Sequence, residues 1–142
     1  MKKKVKTIAV VNAYRVLSGV KTTKLEDAAQ LVIGKAIRSI KKVAKEYIEN
    51  EVETKKMLEP ENISELGIIE AKGETATAEE RVTLQKDMGE YNRAIERNMD
   101  ELAKAEVELD IEPIGFDILL KLAAANEMPL GAAVVIDDVF GE

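Results

Sequence analysis

Two stretches of this chain place apolar residues every three or four positions for longer than a small globule needs. In the first, Leu25, Ala29, Val32, Ala36, Ile40, Val43 and Tyr47 form one stripe, widened by Ile33, Ile37, Ala44 and Ile48. In the second, Leu84, Met88, Tyr91, Ile95, Met99 and Leu102 repeat the pattern. That spacing puts side chains on one face of a helix. Thr23-Lys24-Leu25-Glu26 and Thr77-Ala78-Glu79-Glu80 each read as a capping box that opens one of these helices. The first is predicted to run to about Met57, with Pro60 beyond it, and the second to about Lys104, with Gly89 weakening it slightly. At 1.5 Å per residue, helices of this kind are roughly 40–50 Å long.

The remaining elements are short. Lys3 to Lys6 reads as an edge strand, and Thr7 as the cap of a helix over Ile8 to Ser18 that ends at Gly19. Leu58 to Ala76 reads as a connection, with Gly67 to Ala71 as a short strand and Gly73 as a turn. Val107, Leu109 and Ile111 alternate with Glu106, Glu108, Asp110 and Glu112, which predicts a strand with one buried face, stopped by Pro113. Its acidic outer face complements the basic Lys2–Lys6 segment, so the two strands are expected to pair. Phe116 to Ala125 is then an apolar helix, and Pro129 to Phe140 a final short helical segment.

The predicted fold is α+β and mainly α: a long antiparallel helical hairpin on a small antiparallel sheet, with a C-terminal helical segment. We expect a single domain over residues 1–142: residues 1–57 hold the basic strand and two helices, 58–76 the connection, and 77–142 the third helix, the acidic strand and the C-terminal helices. The far end of such a hairpin would protrude from its base unless another chain covered it. Homo-oligomerisation is therefore expected, with Leu84, Met88, Tyr91, Ile95, Met99 and Leu102 as the interface in the manner of a short coiled coil.

The residues the chain lacks narrow its chemistry. It has no His, Cys or Trp. The commonest general base, the Ser-His-Asp and Cys-His nucleophiles, the usual zinc ligands and any disulfide framework are all absent. The reading is a non-enzymatic protein with no cofactor. No apolar run approaches the roughly 20 residues of a bilayer span, and the basic start lacks the cleavage site of a secretory signal. The expected location is the cytoplasm, with no membrane partner.

Charge is uneven along the chain. Residues 1–46 hold twelve Lys and Arg against three acids, a net of +9, whereas residues 47–142 hold nine against twenty-four, a net of −15. Lys35, Arg38, Lys42 and Lys45 recur at helical spacing with Lys41 adjacent, while Arg15, Lys21 and Lys24 precede them. An Arg guanidinium is a planar fork suited to phosphate. The candidate anion site is therefore Arg15, Lys24, Arg38 and Lys41, with Tyr14 as a stacking face. The competing account makes this a solvated face paired with the acidic helix beside it. Duplex nucleic acid is disfavoured, because a chain of net charge −6 would repel it outside the patch. Asp137, Asp138 and Glu142 read as a fraying acidic terminus rather than a Mg²⁺ site. Gly34-Lys35-Ala36 lacks the rest of a phosphate loop, and Met88 and Met99 read as seam packing.

The order of elements has a resemblance. A basic strand leads into a short helix around Val11-Asn12-Ala13-Tyr14-Arg15-Val16-Leu17, then a long helix around Lys35-Ala36-Ile37-Arg38-Ser39-Ile40-Lys41-Lys42-Val43-Ala44. A charged connection and a second long helix then run into Glu106-Val107-Glu108-Leu109-Asp110-Ile111-Glu112-Pro113-Ile114. Over most of residues 1–120 this resembles small uncharacterised proteins of tailed phages and prophages. The resemblance implies a phage protein acting in the host cytoplasm and transfers no site residues. Two functions are then expected. One is an accessory protein that sequesters a small anionic host molecule, such as a nucleotide immune signal. The other is a structural or assembly protein, a tail or head component or a chaperone, that docks another phage or host protein.

Overall fold

The computed structural model describes residues 1–142. In chain order it contains β1 (Lys2–Lys6), α1 (Thr7–Leu17), α2 (Asp27–Leu58), α3 (Ile63–Lys72), a 3-10 turn (Gly73–Thr75), α4 (Ala78–Lys104), β2 (Glu106–Asp110), α5 (Phe116–Ala125) and α6 (Leu130–Phe140). The fold is α+β and mainly α. The chain forms two compact units: Met1–Ile48 with Leu102–Glu142, and Glu49–Glu101. Helices α2 and α4 each contribute residues to both.

In the first unit, β1 and β2 pair antiparallel with Lys2 opposite Asp110, Lys4 opposite Glu108 and Lys6 opposite Glu106. The solvent face is thus a ladder of opposite charges. The inner face carries Val5 and Leu109, both buried, with Val107 opposite Val5. Ile111 continues the buried row, and its amide donates to the Met1 carbonyl at 2.9 Å. The sheet covers a core in which Val10, Leu17, Ile33, Ile40, Leu119, Leu122, Ile136 and Phe140 are fully buried. Burying each such side chain stabilises by roughly 1.5–3 kcal/mol. The C-terminal end of α6 is fastened to this core, because the Ile114 amide donates to the Phe140 carbonyl at 2.9 Å.

In the second unit, the last turns of α2 run antiparallel to α4. The Thr54 hydroxyl donates to Met99 Sδ at 3.4 Å, the Tyr91 hydroxyl to the Lys55 carbonyl at 2.9 Å, and Asn62 Nδ2 to Asp87 Oδ2 at 2.9 Å. Sequence numbers rise on one side of these contacts and fall on the other. Leu66, Ile69, Ala76, Ile95 and Met99 are buried here. The Thr77 box forms as its sequence reads: the Glu80 amide donates to Thr77 Oγ1 at 3.1 Å, and the Thr77 amide to Glu80 Oε1 at 3.0 Å.

Three local expectations are corrected. Thr7 caps nothing; it is the first residue of α1, and both its amide and its hydroxyl donate to the Ala105 carbonyl at 2.9 Å. Strand β1 runs directly into α1, so Thr7 completes the pairing with the segment beside it. The Thr23 box does not form, and α2 begins at Asp27. Gln30 explains the delay: its side-chain amide donates to the Thr22 carbonyl at 2.9 Å and the Leu25 carbonyl at 3.1 Å, holding residues 22–25 as a turn. Finally, the strand expected over Gly67–Ala71 is part of α3. Leu66 and Ile69 are buried three residues apart, as one helix face requires, and Ile68 points outward. Gly73 then ends the helix at φ 55°, a conformation that favours glycine.

Candidate functional site

The first half of α2 is amphipathic with a sharp boundary. Ile33, Ala36, Ile40, Ala44 and Tyr47 are buried, and the opposite face is cationic. Lys35, Arg38, Lys41, Lys42 and Lys45 are all exposed on that outer face. Ten residues separate Lys35 from Lys45, so the stripe is about 15 Å long. None of the five forms an ion pair or a side-chain hydrogen bond. No acid of the chain comes within ion-pair distance of this stripe. The Arg38 guanidinium folds back over Gly34, where a Cβ would lie 3.5 Å from Nη1.

The structure places the other expected site residues differently. Arg15 is exposed near the end of α1. Tyr14 is half-buried and packs against the core of the first unit, so its ring is partly used in packing. Lys24 lies in the turn before α2 and lines a groove of about 530 Å³ between the start of α2 and α5. Arg15, Tyr14, Arg38 and Lys41 do not line that groove. Nor do they line a smaller polar cleft of about 180 Å³ bordered by Lys35, Ser39, Asp110 and Glu112. Arg38 and Lys41 thus belong to an open stripe with Lys35, Lys42 and Lys45, and Lys24 to a separate groove.

Of the six residues expected at an oligomer interface, Ile95 and Met99 are buried within the chain, and Leu84, Met88 and Tyr91 are half-buried. Leu84 and Met88 line a shallow cavity with Glu70 and Arg81, whereas Leu102 is exposed. Asp137 and Asp138 sit at the end of α6, and no three carboxylates converge anywhere on the chain to hold a metal ion. No helix is long and apolar enough to cross a membrane.

The α2–α5 groove has no counterpart in the sequence reading. Its far wall is Asp117, Ile118, Lys121, Ala124 and Ala125. The available signal was the run Leu122-Ala123-Ala124-Ala125, whose small residues leave space beside a helix.

The comparisons identify no relative: no protein-family model, no curated protein and no solved structure matches this chain.

Proposed function

We propose that this chain is a non-enzymatic protein that binds an anionic ligand bearing phosphate along the outer face of α2. The observation that carries the reading is the stripe of Lys35, Arg38, Lys41, Lys42 and Lys45, exposed and without ion-pair partners in a chain of net charge −6. Unpaired cations of one sign concentrate counter-ions, and charge-assisted bonds from Arg to phosphate are among the stronger hydrogen bonds a protein makes. An open stripe about 15 Å long suits a ligand with charges spread over several bonds, such as a nucleotide polyphosphate or a cyclic dinucleotide. Together with the resemblance to tailed-phage proteins, the proposed role is sequestration of a host nucleotide signal in the cytoplasm. Binding to the native state raises the melting temperature, so thermal melts against a nucleotide panel test the reading. A rise specific to multiply phosphorylated ligands is the expected outcome, and uniform melts across the panel would remove the support.

A second reading, an assembly component that docks another protein, is favoured by the exposed apolar side chains of the second unit. Met57, Ile68 and Val82 are 75%, 61% and 65% exposed. Charge reversal of the α2 stripe would leave such docking intact, whereas Ile68→Lys or Val82→Lys would weaken it.

A further inference from the structure

We infer that the free edge of β1 is a docking site for an extended segment of another protein, one with acidic residues at every second position. The sheet has two strands, so each pairs on one side only. The Ile111 amide donates to the Met1 carbonyl and the Thr7 amide to the Ala105 carbonyl, both at 2.9 Å. Hydrogen-bonded pairs alternate along an antiparallel ladder, so in this register Lys3 and Val5 are the residues of β1 that bond to β2. The backbones of Lys2, Lys4 and Lys6 point the other way. Their amides donate to nothing within the chain, and the carbonyls of Lys2 and Lys4 accept nothing. An edge of this kind is a template for a further strand, held by main-chain hydrogen bonds.

The side chains along the edge select the occupant. Lys2, Lys4 and Lys6 are exposed on the outer face, whereas Val5 is buried on the inner one. A strand laid beside β1 sets every second residue next to this lysine row, where acids are favoured and cations repelled. Its intervening residues lie beside Val5, at the margin of the core, and are apolar. From the other side β2 already has that pattern, with Glu106, Glu108 and Asp110 outside and Val107 and Leu109 inside. A second copy does not fit. Its β1 would bring lysine beside lysine. Its β2 carries the right charges, but extending the sheet that way sets the two units only two strands apart, about 9.6 Å. One helix is about 10–12 Å across, and α1, α5, α6 and the start of α2 all belong to this unit. A lone extended segment brings no such bulk. This edge is distinct from the α2 stripe.

The probe is a fluorescein-labelled peptide of Ala105–Glu112, which carries the acids Glu106, Glu108, Asp110 and Glu112, titrated with the full chain and followed by anisotropy. Saturable binding is expected, tighter by about tenfold or more than that of a peptide with lysine in place of the four acids. Amide hydrogen exchange at Lys4 is expected to slow by about tenfold or more in the complex, while the Val5 amide, already bonded to β2, changes little. N-methylation of one alternate set of peptide amides should abolish binding, and of the other set leave it unchanged. Lys4→Glu should weaken binding about tenfold. Absence of saturation below about 1 mM, or equal affinity for the acidic and lysine peptides, overturns the inference. So does a complex in which Lys4 exchange is unchanged. An acidic peptide held by the α2 stripe instead would give that last result and would lose affinity in Arg38→Ala.

Discussion

Lys3 and Gly141 are joined across nearly the whole chain: the Lys3 ammonium donates to the Gly141 carbonyl at 3.1 Å and to the Asp138 carbonyl at 3.3 Å. The first strand thereby supplies a cation to the C-terminal end of the last helix, where free carbonyls accumulate partial negative charge. Among the lysines of β1, Lys3 alone stands on the inner face beside Leu109, while Lys2, Lys4 and Lys6 face solvent opposite acids. Lys3→Met keeps the apolar stem and removes the ammonium. We expect it to cost about 1 kcal/mol in urea unfolding, and Lys4→Met to stay within about 0.5 kcal/mol. Equal losses would show that helix α6 is not held by this contact.

The two faces of β2 make opposite demands. Leu109 is buried on the core side, whereas Glu108 is exposed opposite Lys4, its carboxylate 3.8 Å from the Lys2 ammonium. An unpaired carboxylate at position 109 would lose the apolar burial and add a desolvation cost, so Leu109→Asp is expected to destabilise by more than about 3 kcal/mol. Glu108→Lys exchanges an exposed ion pair worth about 0–1 kcal/mol. Thermal unfolding of the two variants separates these expectations widely, and comparable melting temperatures would contradict the register.

Glu80 is the site of a pH-dependent contribution. The Lys72 ammonium beside it, followed by the Thr77 amide, holds its carboxyl below the ordinary carboxylate value. A depressed native value means that the carboxylate form is favoured by folding. The stabilisation is therefore complete above the ordinary carboxylate range and is lost as pH falls through the lowered value. Glu80→Gln should be less stable than wild type at neutral pH, and the difference should shrink below about pH 4. Thr77→Ala, which removes the other half of the box, is expected to cost about 1 kcal/mol. A Glu80→Gln deficit that stays constant from neutral to acid pH would contradict this assignment.

Some of these relationships can be read from the residues alone, and the reasons differ by element. The alternation from Glu106 to Ile111 has a period of two that no helix can use, so β2 and its partner are legible. Phe116–Ala125 is legible because ten residues that are apolar except for Asp117 and Lys121, with no Gly or Pro among them, have few alternatives. The two capping boxes look alike in sequence, but only Thr77 forms one. At Thr23 the decisive residue is Gln30, whose side chain holds the competing turn, and nothing in a four-residue motif reports it. The adjacent β-branched pair Ile68-Ile69 suggests a strand, while burial of Leu66 and Ile69 makes a helix. The cations of α2 are visible as a pattern, but that none of them forms an ion pair is a tertiary fact. The α2–α5 groove joins residues some ninety positions apart, for which local spacing carries no signal.

Calorimetric titration with nucleotide polyphosphates and cyclic dinucleotides, on wild type and on Arg38→Ala, tests anion binding on α2 most directly. Arg38 is exposed and outside the core, so its loss should leave the fold unchanged. A lost charge-assisted hydrogen bond of roughly 1.5–3 kcal/mol corresponds to about tenfold or more in affinity. The expected result is sub-millimolar binding of at least one multiply phosphorylated ligand, weakened about tenfold or more in Arg38→Ala. No binding below millimolar, or equal affinity for the two proteins, would contradict the α2 stripe as the functional site.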